Sequence, residues 1–186
     1  MDPFATLGIE RRFDIDLAAV EKTHRELSRT LHPDRHAAGG PSERRYALSK
    51  AVEVNEAWRV VRDPIQRAEA LFALAGVKVG ETYEPKPSAG LLIDMMDQRE
   101  MLADARATGD LDAVRRLASH IEARAKRTED QLSLGFREHA EDHSKLVTLV
   151  PRLGELRFYR RFLEEASDAE EASPLRVIDH GAARHL

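Results

Sequence analysis

The 186-residue chain contains no cysteine. Disulfides are therefore excluded, and every thiolate route to a bound metal or iron-sulfur cluster is closed. Aromatic residues make up only 5% of the chain. No uncharged apolar run reaches the roughly 18 residues needed to cross a bilayer. Met1-Asp2-Pro3-Phe4 leads straight into patterned sequence, with no basic-then-apolar leader. A cytoplasmic protein without a membrane segment is expected. Positive charge is also short. The net charge is -4 and no long basic run occurs, so the counterion release that drives nucleic-acid binding has little to act on. Nucleic acid is not an expected partner, and no repeat of fixed period is present.

Charge and helix formers are abundant. One third of the residues are Asp, Glu, Lys or Arg, and Ala, Leu, Glu and Arg are plentiful, as helices with solvated faces require. An all-α fold follows. Leu17, Val20, His24, Leu27 and Leu31 step by three and four along one helix face, with Asp16 placed to cap the start. Pro33 disfavours helical geometry at His32 and so ends this helix near Leu31. After Ala38-Gly39-Gly40-Pro41, Ser42 can cap a second long helix with a buried row of Leu48, Val52, Asn55 and Trp58. Asp63-Pro64 opens a shorter third helix, and Gly76 marks its left-handed stop.

Periodicity lapses from Val77 to Ser88, where Gly80, Pro85 and Pro87 mark a linker. We divide the chain accordingly into 1–76, a linker 77–88, a helical domain 89–167 and an unstructured tail 168–186. Helices are expected over Leu91–Thr108 and from Leu111 to about Leu134, with Gly109-Asp110 breaking and recapping between them. A third begins near Ser144 with the row Leu149, Leu153, Leu156, Tyr159 and Leu163; Pro151 must lie in its first turn or kink it. Met1–Gly76 holds twelve basic and twelve acidic residues, leaving 29 − 12 = 17 basic and 33 − 12 = 21 acidic beyond it. All the excess acid is C-terminal, and the tail's acidic, small and scattered apolar residues lack any period.

The tripeptide His32-Pro33-Asp34 lies between two antiparallel helices, and the first of these carries Lys22, Arg25 and Arg29 as a basic stripe ending at the loop. As a local signal it could be only a helix stop, with Pro ending the helix and Asp favouring a turn. The wider pattern, with Asn55-Glu56-Ala57-Trp58 and Asp63-Pro64-Ile65-Gln66-Arg67-Ala68, resembles the J-domain. The opening Met1-Asp2-Pro3-Phe4-Ala5-Thr6-Leu7-Gly8-Ile9 and the run Arg67-Ala68-Glu69-Ala70-Leu71 are similar to HscB, a J-domain co-chaperone family of iron-sulfur cluster assembly, over roughly Met1 to Leu163.

The resemblance implies a J-domain helical hairpin followed by a C-terminal three-helix bundle. It also implies a partner, a DnaK/HscA-type chaperone, docked through His32, Pro33, Asp34, Lys22, Arg25 and Arg29, whose ATPase the contact stimulates. The chemistry would belong to the partner, so neither catalysis nor a cofactor is expected of this chain. His24 stands where the family usually has a bulky apolar or aromatic residue, and His36 where an aromatic often follows the loop. His24 is read as a partly buried core histidine. Because the eukaryotic relatives carry a cysteine-bearing N-terminal extension, the chain looks like a bacterial form.

The same resemblance implies a second partner, the IscU-type scaffold on which clusters are built. The matching helix presents Leu92, Met96 and Glu100 at four-residue steps, flanked by Ile93, Asp97 and Asp104, with Phe158 joining from the last helix. Apolar residues on this helix exceed what one core contact needs, and Met side chains suit an adaptable interface. The alternative is that these side chains are packed inside the bundle.

Two further constellations carry less. His139-Ala140-Glu141-Asp142-His143 spaces two imidazoles for metal chelation, with His120 as a conceivable third ligand, yet it lacks the metalloprotease order. The acidic row Asp94, Asp97, Glu100 and Asp104 has no partner motif on a second helix, which leaves a hydrolase little support. A J-protein serving some other client would commonly add a Gly-rich segment and cysteine-paired zinc modules, and neither is present.

Overall fold

The computed structural model describes residues 1–36, 40–80, 83, 87–140 and 142–172, without the side chains of Pro33, His36 and His143. All regular structure among the described residues is helical: α1 (Pro3–Leu7), α2 (Leu17–Thr30), a 3-10 turn (Pro33–His36), α3 (Pro41–Arg62), α4 (Pro64–Leu74), α5 (Ala89–Thr108), α6 (Leu111–His139), α7 (His143–Val147) and α8 (Val150–Glu171). Packing divides the chain into two compact units. Among the described residues, one comprises Met1–Pro87 with Ala125–Arg157, the other Ser88–Arg124 with 158–172.

In the first unit α3 packs against α1, α2 and α4. Asp2, Asp16 and Asp63 cap α1, α2 and α4 by accepting backbone N–H groups of the first turn, each satisfying donors that the helix itself leaves open. The core includes Phe4, Leu7, Val54, Ala57, Val61 and Phe72. Phe136 of α6 joins it, with its ring centroid 4.8 Å from that of Phe72 and 5.9 Å from that of Phe13. Beside these rings Arg67 is buried, its guanidinium 4.8 Å over Phe13 and its Nη1 donating to the Val61 carbonyl at 3.0 Å. Gly135 lets Leu149 come close, since a Cβ there would stand 2.5 Å from a Leu149 methyl.

Several expectations need correction. The buried row of α3 is Ala47, Val54, Ala57 and Val61, whereas Leu48, Val52 and Asn55 are exposed and Trp58 is half-buried. The expected row is turned by about one residue, roughly 100° of helix. Ser42 is not the cap either. Gly40 holds that position with no side-chain bond, and Pro41 supplies the first helical residue, where its missing N–H costs nothing. Leu17 is exposed at the outer end of its row. The last expected helix is divided: α7 stops at Val147, and α8 restarts so that Pro151 falls in its first turn. In α8 Phe162 is fully buried, while Leu163 and, just ahead of the helix, Leu149 are only half-buried. Asp168–Glu171, assigned to the tail from sequence, continue α8, and Ala169 is buried. The rest of the expected tail (173–186), part of the linker (81–82 and 84–86), loop residues 37–39 and Glu141 lie outside the described residues.

The second unit packs α5, the first half of α6 and the second half of α8 through Met95, Leu102, Val114, Ile121, Phe162 and Ala166. Polar ties cross it. Arg124 pairs with Asp94 while its guanidinium lies 5.1 Å over the Tyr159 ring, and Arg99 pairs with Glu165 at 2.9 Å. Asp94 is thus level with Tyr159 and Arg99 with Glu165, so α5 and α8 run parallel and α6 runs against both.

Candidate functional site

The first candidate surface lies on α2 and the turn after it. Val20 is the buried residue of α2, and Lys22, Arg25 and Arg29 are exposed on the opposite side of the helix. The stripe is not wholly unpaired, because Arg25 makes an ion pair with Glu21 one turn earlier. At the end of α2 the Leu31 N–H donates to the Leu27 carbonyl at 3.0 Å, and the Arg35 N–H to the His32 carbonyl at 3.0 Å. The tripeptide therefore enters a 3-10 turn directly. Asp34 donates its backbone N–H to His32 Nδ1 at 3.3 Å, and its carboxylate lies 3.5 Å from the same nitrogen. With Nδ1 accepting, a neutral imidazole carries its proton on Nε2. The Asp34 side chain is 90% exposed, so its carboxylate is available to an outside cation.

The hairpin behind the loop is held in part by His24. Its Nε2 lies 3.0 Å from Asn55 Oδ1 and 3.3 Å from Ser28 Oγ, and its ring stacks on Trp58 with centroids 5.4 Å apart. A half-buried imidazole thus fills the α2–α3 contact as an aromatic ring would, with an added polar tie to α3.

The second surface lies on α5. Leu92, Ile93 and Met96 are 39%, 62% and 69% exposed, and Asp97, Glu100 and Asp104 are exposed with them. The buried residues Met95, Leu102 and Ala105 form the other face. The apolar side chains are therefore not consumed by the bundle, and a band of three large apolar groups edged by three carboxylates faces solvent. Phe158 is half-buried on α8, beside Tyr159 and so near the level of Leu92 in the parallel α5–α8 pair. Met101, not singled out in the sequence, is also 53% exposed on this helix. Its signal was available: it lies four residues after Asp97 and three before Asp104, next to both on a helix. Asp94, counted in the acidic row, is instead committed to Arg124.

Among the described residues, no three His, Asp or Glu side chains come together as metal ligands. His139 is half-buried, and the side chain of His143 is outside the description. No described helix is long and apolar enough to cross a membrane.

Residues 88–167 match the family model of the HSCB C-terminal oligomerisation domain. A co-chaperone protein HscB homolog of Aromatoleum aromaticum is 33% identical over 171 residues, 92% of this chain and 94% of that protein. The chain belongs to the HscB co-chaperone family. A second HscB homolog, of Pseudoalteromonas atlantica, is 32% identical across 91% of this chain and 98% of its own length. Two solved HscB structures share the fold at a TM-score of 0.79: chaperone HscB from Vibrio cholerae at 23% identity, covering 92% of this chain and 98% of that one, and human co-chaperone HscB at 22%, covering 91% and 82%. The HscB resemblance seen in the opening residues and around Arg67 thus extends through the α5 face.

Proposed function

We propose that this HscB-family chain stimulates the ATPase of a DnaK/HscA-type chaperone and brings it an IscU-type scaffold for iron-sulfur cluster assembly or transfer. The observation that carries the scaffold half is the exposure of every α5 residue that the family resemblance assigns to it. Leu92, Ile93 and Met96 leave more apolar surface in water than packing requires, and such a patch is most simply explained by a partner.

The chaperone half rests on the loop. Asp34 would pair with an arginine of the chaperone, and an exposed carboxylate on a short turn is suited to that charge-assisted contact. Lys22, Arg25 and Arg29 would steer an acidic partner surface toward it, acting mainly on the rate of encounter. The chain then works by binding the hydrolysis-competent state of the chaperone more tightly than the other, and it carries out no chemistry of its own. We assign residues 1–76 to the J-domain, 89–167 to scaffold binding, and the cytoplasm as the place of action.

Steady-state ATPase of a DnaK-type chaperone, with this chain present and the scaffold added or omitted, tests the proposal. Stimulation by the chain alone and a further, more than additive rise with scaffold is the expected result. Stimulation without scaffold synergy would instead indicate a J-protein serving another client.

A further inference from the structure

Between α5 and α6 the second unit has an open groove of about 330 Å³, walled by Gln98, Met101, Ala113, Arg116, Leu117 and His120. It adjoins the α5 face through Met101, which neighbours both Asp97 and Asp104 on the helix. The groove is apolar along Met101 and Leu117 and cationic at its rim. Leu117 is buried as floor, whereas Met101 is 53% exposed as wall. Arg116 has a 71% exposed side chain, and its ion-pair contact, with Asp110, is a long one at 3.9 Å. Most of its five donors are therefore uncommitted. The α5 face itself is edged by carboxylates and would favour basic groups, so the rim of the groove has the opposite preference. A partner lying across both must change the sign of its charge on the way.

We propose that this groove is a second compartment of the scaffold-docking surface, and that it takes a large apolar side chain of the scaffold with a neighbouring Asp or Glu that pairs with Arg116. This rests on the scaffold reading given above. Continuity with the α5 face supplies the occupant: a partner held on Leu92, Ile93 and Met96 and extending past Asp97 meets Met101 next. Met suits this position, because its unbranched thioether chain can shift to admit an incoming group. Arg116 then fixes the register of the partner through a directional carboxylate contact.

Titration calorimetry of the full chain against an IscU-type scaffold tests the groove. Met101→Ala and Arg116→Glu are each expected to weaken binding by about tenfold, with melting temperatures little changed because Arg116 is mostly in water and Met101 about half so. A matched charge reversal at Arg127, exposed on α6 outside the groove, should bind as the unaltered chain does. Equal weakening by Arg127→Glu would reduce the Arg116 effect to bulk charge and overturn the pairing. If Met101→Ala and Arg116→Glu bind normally while Leu92→Ala with Met96→Ala weakens, the groove is refuted and the scaffold reading stands. If that double variant also binds normally, the scaffold reading fails and the groove fails with it.

Discussion

Among the described residues Arg67 is the ionisable side chain that is buried, and its surroundings offset part of the cost. It is 7% exposed, its Nε has no partner, and burial lowers its pKa while the charges of Glu129, Asp63 and Asp14 act to raise it. Glu129 answers from α6, and there burial pushes the carboxyl above its ordinary range, with Lys126 and Arg67 pulling back and Asp130 and Asp63 adding to the rise. For a carboxyl with a raised folded pKa the native state binds the extra proton. Its contribution to stability is therefore fully present below the unfolded value of about 4.3 and lost as pH rises from there through the folded pKa. Glu129→Gln removes this titration. Urea unfolding at pH 4.5, 5.5 and 7 should show the variant gaining on the parent as pH rises, whatever their difference at the lowest pH, and a pH-independent difference would refute the assignment. The run beginning at Arg67 was legible in the sequence as a family mark. Its burial was not, since a charged residue on a short helix reads by default as solvated.

At the scale of elements, the six longer helices and most of their boundaries were legible because caps and stops are local chemistry, whereas the short α1 and the break between α7 and α8 were not. Asp16, Asp63, Gly76 and Gly109 act within one turn of themselves. The buried face of α3 was less legible, because Leu48, Val52, Asn55 and Trp58 also satisfy helical spacing and the true row relies on small residues, Ala47 and Ala57, that a search for large apolar groups passes over. Small residues let helices approach closely, and Gly135 shows the same effect in α6. Replacing it with Ala should gain about 1 kcal/mol of helix propensity, but the new Cβ would meet the Leu149 side chain at 2.5 Å, and such overpacking costs about as much or more. The two sites should therefore couple. In a Leu149→Ala background Gly135→Ala should stabilise by about 1 kcal/mol, and in the parent the gain should vanish or reverse. Denaturant midpoints of the four proteins would decide it, and an equal gain in both backgrounds would show that Leu149 yields freely.

For the molecule as a whole, helical period narrows which face is buried but does not tell which neighbour covers it. A division by segments follows the linker, whereas packing draws Ala125–Arg157 together with Met1–Pro87. The two candidate surfaces fall in different units, with the loop in the first and the α5 face and Phe158 in the second. This separation makes their roles experimentally distinct. His32→Gln alters an exposed imidazole and removes no core contact, so it should abolish ATPase stimulation while leaving circular dichroism and scaffold affinity as they were. Leu92→Ala with Met96→Ala truncates two exposed side chains and should weaken scaffold binding by tenfold or more, eliminate synergy, and preserve the stimulation given by the chain alone. Loss of scaffold affinity in His32→Gln, or of basal stimulation in the double variant with its helicity intact, would mean that the two surfaces do not act separately. Unfolding of the double variant would return Leu92 and Met96 to the core, against their exposure of 39% and 69%.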